Sequence, residues 1–169
     1  VELVTGQVSK NIMKSMWFQL NEINAGASRP KGIEQTKTSK VGVIGSGLMG
    51  HGIAYVTALA GMEVVMTDIS QVKADKGLSR IKKIFNGGIK RGLLTEQKMN
   101  ESLKKIIATE DLSKLSGCDL IIEAVFEDRE LKANVTAKTE KYLDTNGVFA
   151  SNTSTIPITS LADKSVRPE

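Results

Sequence analysis

Gly45-Ser46-Gly47-Leu48-Met49-Gly50 spells the pattern G-x-G-x-x-G, and His51, the single histidine of the chain, follows it directly. Glycines at this spacing suit a phosphate-bearing ligand. Gly45 can make a tight turn, Gly47 lets a pyrophosphate approach the backbone with no Cβ in the way, and Gly50 permits close packing of helix on strand. The free N–H groups of a helix start then face the anion. Alone the pattern is weak, because the chain has 15 glycines and a plain strand-to-helix turn uses the same residues. Its setting is what the mechanism requires: Lys40 to Ile44 reads as a buried strand before it, and Leu48 to Ala60 as a helix after it.

Asp68 closes the next apolar run, Glu63 to Asp68, at about the 20-residue distance expected of a ribose-binding acid. A carboxylate there accepts hydrogen bonds from ribose hydroxyls. It also repels a 2′-phosphate by about 4 kcal/mol per unit charge at roughly 4 Å and an effective dielectric near 20. The following Ile69-Ser70-Gln71 supplies no arginine to offset that charge, so the reading is NAD rather than NADP. An S-adenosylmethionine methyltransferase also pairs a glycine loop with a strand-end acid, and spacing leaves that alternative open. His51 has the ordinary pKa of a general base. It sits at a helix N-terminus, however, where an imidazolium is disfavoured and phosphates would be the neighbours. It is read as a surface or packing residue.

Two further strand ends carry polar residues. Asp119 to Val125 ("DLIIEAV") runs into Phe126-Glu127, with Lys132 one turn into the next helix, and Val148 to Ser151 runs into Asn152-Thr153-Ser154-Thr155. Taken alone, these are equally a helix-start acid, a surface lysine and a hydroxyl-rich turn before Pro157.

The elements that position these groups alternate in type. Strands are expected at 40–44, 63–68, near 107–109, 119–125 and 148–151. Helices are expected at 48–60 (closed by Gly61), from Ser70 to about Gly92, from Thr95, over 128–143, and after Pro157. Such alternation implies an α/β fold with a mainly parallel sheet covered on both faces, a doubly wound Rossmann arrangement. A full dinucleotide fold has six strands, so five leave it incomplete at its C-terminal strand, with the fifth as an exposed edge. Ahead of it, Ile12, Met13, Met16, Trp17, Leu20 and Ile23 give an amphipathic helix over Lys10 to Ile23. Asn24 to Ser39 follows as a linker, so the expected division is 1–39 and 40–169.

The composition is that of a soluble globular protein: 169 residues, 40% hydrophobic, 25% charged, with a formal net charge of +4. The basic residues are interleaved with acids and aromatics are only 4%, so nucleic-acid binding is not expected. No apolar run approaches the ~20 residues of a membrane span. The chain starts at Val1 without a basic n-region, so no signal peptide is read, and the absent Met suggests a fragment or processed chain. The lone Cys118 forms no intrachain disulfide, which fits a cytoplasmic location, and it reads as a semi-buried filler. No metal site is expected.

"GVIGSGLMGHGIAY", "MTDIS", "LIIEAVFEDRELK", "FASNTSTIPITSLA" and the terminal "RPE" together resemble the NAD-binding domain of L-3-hydroxyacyl-CoA dehydrogenases. They are most similar to the dehydrogenase part of the multifunctional α-subunit of the fatty acid β-oxidation complex. The resemblance runs from Lys40 to Glu169, and residues 1–39 resemble the connection to the hydratase domain in such fused enzymes. It implies oxidation of a 3-hydroxyacyl-CoA to the 3-oxoacyl-CoA with NAD, and an oligomer or a complex with a thiolase subunit. Position by position, it implies cofactor contacts from Gly45, Gly47, Met49, Gly50, Asp68, Val125, Phe126, Glu127, Lys132 and Ser154, with Ser154 also near the substrate hydroxyl. Phe126 departs from the smaller aliphatic often found there. The resemblance places the catalytic histidine beyond Glu169, so these 169 residues are expected to bind NAD without turnover. A stand-alone nucleotide-binding or sensing module is the alternative.

Overall fold

The computed structural model describes residues 2–29, 31–32 and 36–168. Val1, four residues of the expected linker (30 and 33–35) and Glu169 of the "RPE" stretch lie outside the described residues. The chain forms two compact units, Val1–Lys37 and Thr38–Glu169.

The first unit is helical: α1 (Glu2–Thr5), α2 (Gln7–Ile12), a π-helical stretch at Met13–Gln19, and α3 (Leu20–Asn24). The amphipathic helix expected over Lys10 to Ile23 therefore carries a widened turn in its middle. Within this unit Ile12, Met16, Trp17 and Ile23 stay exposed, since one helix has no second element of its own to cover them.

The second unit alternates strands and helices. The elements are β1 (Lys40–Ile44), α4 (Leu48–Leu59), β2 (Glu63–Thr67), α5 (Gln71–Lys90), α6 (Glu96–Leu103), β3 (Ile106–Thr109), β4 (Cys118–Glu123), α7 (Arg129–Thr139), β5 (Leu143–Ser151) and α8 (Ile158–Ala162). All pairings are parallel and the order is β3-β2-β1-β4-β5. Parallel strands are near-continuous apolar runs because both faces are covered. Val41, Val43, Val64 and Met66 pack with Ala54, Ala58, Ile81 and Phe85 on one face, whereas Ile44, Val65, Leu115, Cys118 and Ile121 form the other. Side chains alternate across a strand, so Thr67 points to the second face with Val65, and Glu123 points there with Ile121.

The helix starts follow the capping chemistry. Ser70, Thr95 and Asp128 each accept a hydrogen bond from the backbone three residues on (Lys73, Lys98 and Leu131). At the other end of α4, Gly61 takes φ +95°, the left-handed conformation that ends the helix.

Three boundaries differ from the sequence expectation. The strand expected over Asp119 to Val125 is Cys118–Glu123, since Ala124 and Val125 already turn away. The helix expected to reach Leu143 stops at Thr139, passes through a 3-10 turn (Glu140–Tyr142), and Leu143 instead opens β5 against Cys118. Asn146-Gly147 is then an irregularity inside β5 rather than a turn ahead of it. Arg167, distant in sequence, donates from its guanidinium to the carbonyls of Asp144, Thr145 and Gly147 along this irregular stretch. Cys118 is fully buried rather than half-buried. As expected, β5 lies at the sheet edge.

Candidate functional site

The three glycines of the loop differ in their surroundings. Gly45 has φ +97°, and a Cβ on it would come within 2.6 Å of the Ala124 carbonyl oxygen, so the turn packs directly on the end of β4. A Cβ on Gly50 would overlap the Gly45 carbonyl, which fixes how closely α4 approaches β1. A Cβ on Gly47 would meet nothing within 4 Å. Gly47 faces open space, where a ligand can approach the backbone. It is also the N-cap of α4, and no side chain caps that helix start. The first N–H groups of α4 therefore lack the side-chain acceptor that the starts of α5, α6 and α7 have.

Asp68 follows β2 directly and turns its carboxylate toward this loop. Its Oδ2 accepts the Ser46 backbone N–H at 2.8 Å and the Ser46 hydroxyl at 2.6 Å, and its Oδ1 accepts the Ile69 N–H at 2.8 Å. Partial burial works against the charge, but the bonds from Ser46 and Ile69 and the nearby Lys73 ammonium hold this carboxyl below its usual range. A carboxylate has about four acceptor sites, so capacity for ribose hydroxyls is left. Sequence reasoning missed Ser46, an unmarked position in the glycine pattern. It also missed Lys73, which partly offsets Asp68 from one turn into α5.

The ends of β4 and β5 are organised around buried charge. Glu123 and Lys132 are both fully buried, and the Lys132 ammonium donates to Glu123 at 2.8 and 3.1 Å. Glu123 also accepts the Val125 N–H and the Ser151 hydroxyl. Lys132 reaches the Asn152 carbonyl at 3.4 Å and lies 3.3 Å from Glu127. Exposed Glu127 in turn accepts from the Thr153 hydroxyl at 2.5 Å, from the backbone N–H groups of Ser154 and Thr155, and from the Thr155 hydroxyl. The Thr153 bond first, with the others and Lys132 beside it, holds the Glu127 carboxyl down to about 2. Glu123 was read only as a polar residue at a strand end, although an acid at the end of "DLIIE" must find a buried partner, and Lys132 lies one helical turn beyond the loop.

A cleft of about 580 Å³ opens at the carboxyl edge of the sheet, within the usual size of small-molecule sites. Gly45, Gly47, Asp68, Val125 and Phe126 line it together. Glu127, Lys132 and Ser154 form the neighbouring hydrogen-bonded cluster instead, and Gly50 is packed behind the loop. Met49 is half exposed on the first turn of α4. The residues fit a dinucleotide: the loop has room for a phosphate at Gly47, and the Thr67 hydroxyl, fully buried on a cleft-lining residue, finds no partner among the described residues. His51 is not on the surface. It is largely buried, with Nδ1 at 2.5 Å from the Gly47 carbonyl, so its ring is tied to the N-cap of α4. Burial pushes the Cys118 thiol up to about 11, which makes it a packing residue rather than a nucleophile. Among the described residues, no helix is long and apolar enough to cross a membrane.

Comparison with known proteins agrees with this geometry. Residues 40–169 match the family described as 3-hydroxyacyl-CoA dehydrogenase, NAD binding domain. A 3-hydroxybutyryl-CoA dehydrogenase of Bradyrhizobium diazoefficiens is 40% identical over 130 residues, which are 77% of this chain and 44% of that protein. Among solved structures, M. tuberculosis FadB2 superposes with a TM-score of 0.77 at 37% identity, covering 79% of this chain and 47% of that one. The dehydrogenase part of multifunctional enzyme 1 from C. elegans has a TM-score of 0.71 at 26% identity, over 80% of this chain and 31% of that one. The chain thus spans less than half the length of these relatives. The family's cofactor is NAD, which answers the choice left open between NAD and S-adenosylmethionine. A match that continuous, laid over a loop and a carboxylate that already face one another, places this chain in the family of 3-hydroxyacyl-CoA dehydrogenase NAD-binding domains.

Proposed function

We propose that residues 40–169 hold NAD for a protein that oxidises 3-hydroxyacyl-CoA to 3-oxoacyl-CoA in fatty acid β-oxidation. The observation that carries this reading is the juxtaposition of the uncapped start of α4 with the Asp68 carboxylate at one cleft. Bound there, NAD supplies the hydride acceptor. The N–H groups of residues 48–50 face its pyrophosphate, and Asp68 takes the adenosine ribose hydroxyls. Gly45 and Gly50 set the shape of the loop, Gly47 gives the phosphate its clearance, and Met49 sits against the cofactor from the first turn of α4. Val125 and Phe126 form the wall at the end of β4. Glu127 and Ser154 meet the nicotinamide half, Ser154 beside the substrate hydroxyl, with Lys132 acting on that end through Glu127.

The proton acceptor is not His51, whose ring is tied to the Gly47 carbonyl at the phosphate end of the cleft. Residues 1–39 are read, on the resemblance to the fused enzymes, as the helix and linker joining this domain to a hydratase domain in a multifunctional protein; the C. elegans neighbour is itself the dehydrogenase part of a multifunctional enzyme. That protein is further read as cytoplasmic, on the lone Cys118, and as an oligomer or a partner of a thiolase subunit, on the resemblance to the fused enzymes.

Fluorescence titration with NADH, NADPH and S-adenosylmethionine tests the cofactor site. NADH should bind, NADPH should bind at least tenfold more weakly, and S-adenosylmethionine should not compete. Equal affinity for all three would refute the site. With NAD and a 3-hydroxyacyl-CoA added to these 169 residues, no NADH should form, and its formation would bring His51 back as the base.

A further inference from the structure

Thr67 is the last residue of β2, pairs in register with Ile44 of β1, and lies immediately before Asp68. Its carbonyl accepts the Gly45 N–H at 2.8 Å and so fastens the glycine loop to β2. Its side chain is the anomaly. The residue is 0% exposed, yet its hydroxyl has no hydrogen-bond partner among the described residues. A buried hydroxyl without a partner is costly, and valine has the same shape without that cost. The packing of β2 therefore gives no reason for a threonine here.

The cleft does give one. Strand alternation sends the Thr67 side chain to the face of the sheet that carries Ile44 and Val65, and Thr67 lines the cleft with Leu112, Val125 and Val135 on that same side. A ligand ring entering beside Asp68 would find apolar walls from these three residues, with one polar group covered just beneath them. A purine edge offers both donors and acceptors, and a hydroxyl can answer either.

We propose that the Thr67 hydroxyl, covered in the ligand-free cleft, becomes a recognition contact for the adenosine half of the dinucleotide through a small shift of the cleft lining on binding. This rests on reading the cleft as the NAD site, and it adds a residue that neither the glycine pattern nor the family motifs single out. The hydroxyl gains its partner only when the adenosine is in place, so the ligand-free protein carries an unsatisfied group that binding relieves.

The test uses the full chain with Thr67→Val and Thr67→Ser, titrated with NADH and, by competition, with AMP and nicotinamide mononucleotide. Thr67→Val should weaken NADH and AMP by the same factor, about three- to tenfold, the size of one hydrogen bond. Thr67→Ser should stay within about twofold of the parent, and nicotinamide mononucleotide should be unaffected by either change. Without ligand, Thr67→Val should melt at the same temperature as the parent or higher. Unchanged NADH affinity in Thr67→Val would overturn the proposal, as would an equal loss in Thr67→Ser, which would indicate the methyl group. A lower melting temperature in ligand-free Thr67→Val would also overturn it, because the hydroxyl would then have a partner in the free protein. Parent protein that fails to bind NADH refutes the cleft reading itself. Parent binding with no loss in Thr67→Val refutes only the role of Thr67.

Discussion

On the β1–β2 side of the sheet, the groups that face the cleft are uncapped helix N–H groups and a carboxylate with acceptor sites to spare. On the β4–β5 side, Glu123, Lys132 and Glu127 are matched to one another and to the Ser151 to Thr155 turn. The first side is shaped by glycine and left incomplete in its hydrogen bonding. The second is closed by buried charge. The difference indicates a division of labour in which one side takes the ligand's polar groups while the other fixes two strand ends at a set separation. Lys132 belongs to the second kind. It is fully buried between two glutamates, so its influence on a ligand passes through Glu127.

The largest expected effect tests that closure. Lys132→Met leaves Glu123 buried without its counter-charge and should destabilise the domain by about 3–5 kcal/mol, read as a fall in the urea midpoint. Adding Glu123→Gln should recover much of the loss, since the unpaired buried charge is then removed and only exposed Glu127 lacks its lysine. A single-variant loss under about 1 kcal/mol would remove the contrast between the two sides.

Next in size are the glycines, which separate folding from binding on the open side. Gly45→Ala meets both the left-handed backbone and the Ala124 carbonyl, and should cost about 2–4 kcal/mol. Gly47→Ala meets no protein atom and should change stability by less than about 1 kcal/mol. It should still weaken NADH about tenfold or more, because the methyl group stands where the pyrophosphate must approach. Equal NADH affinity in Gly47→Ala would move the phosphate elsewhere.

Smaller again is cofactor discrimination. Asp68→Ala should narrow the preference for NAD over NADP by about tenfold, or roughly 1.4 kcal/mol. Lys73→Ala should widen it by a lesser factor, since the ammonium offsets part of the Asp68 charge. Competitive titration with NAD and NADP reads both. A Lys73→Ala variant with narrowed preference would reverse the electrostatic argument.

What was legible in the sequence follows the same division. The open side could be read because its function lies in local rules: a strand, a glycine turn, a helix start and an acid at a set distance place Gly45, Gly47 and Asp68 at one cleft. The capping residues Ser70 and Thr95 were legible for the same reason. The closed side depends on pairs distant in sequence, and there the reading lost detail. Nothing local shows that Leu143 pairs with Cys118, or that Arg167 takes the carbonyls of Asp144, Thr145 and Gly147, and the start of β5 was misplaced. Nor does helical position show that Lys132 points inward to Glu123 rather than outward to solvent. Ser46 and Thr67 were silent for a third reason: a small hydroxyl residue carries no pattern, and only its hydrogen-bond partners, or the lack of them, give it meaning.

The smallest effect concerns pH, and it probes the one charged residue of the closed side that remains exposed. The Glu127 carboxyl is held from an ordinary value of 4.5 down to about 2, chiefly by the Thr153 hydroxyl. A group whose pKa is depressed in the folded state favours folding above its unfolded value, and that contribution is lost as pH falls through the folded value. Wild type should therefore exceed Glu127→Gln in melting temperature by its full margin above about pH 5. The margin should shrink steadily from pH 4.5 toward pH 2, as the unfolded and then the folded carboxyl takes up its proton. Thr153→Val should reduce the same margin at neutral pH, because it removes the largest cause of the depression. A margin that stays constant from pH 6 to pH 3 would mean that Glu127 is held by shape rather than by charge. The closed side would then be an ion pair of Glu123 and Lys132 alone, with the Thr153 turn merely adjacent to it.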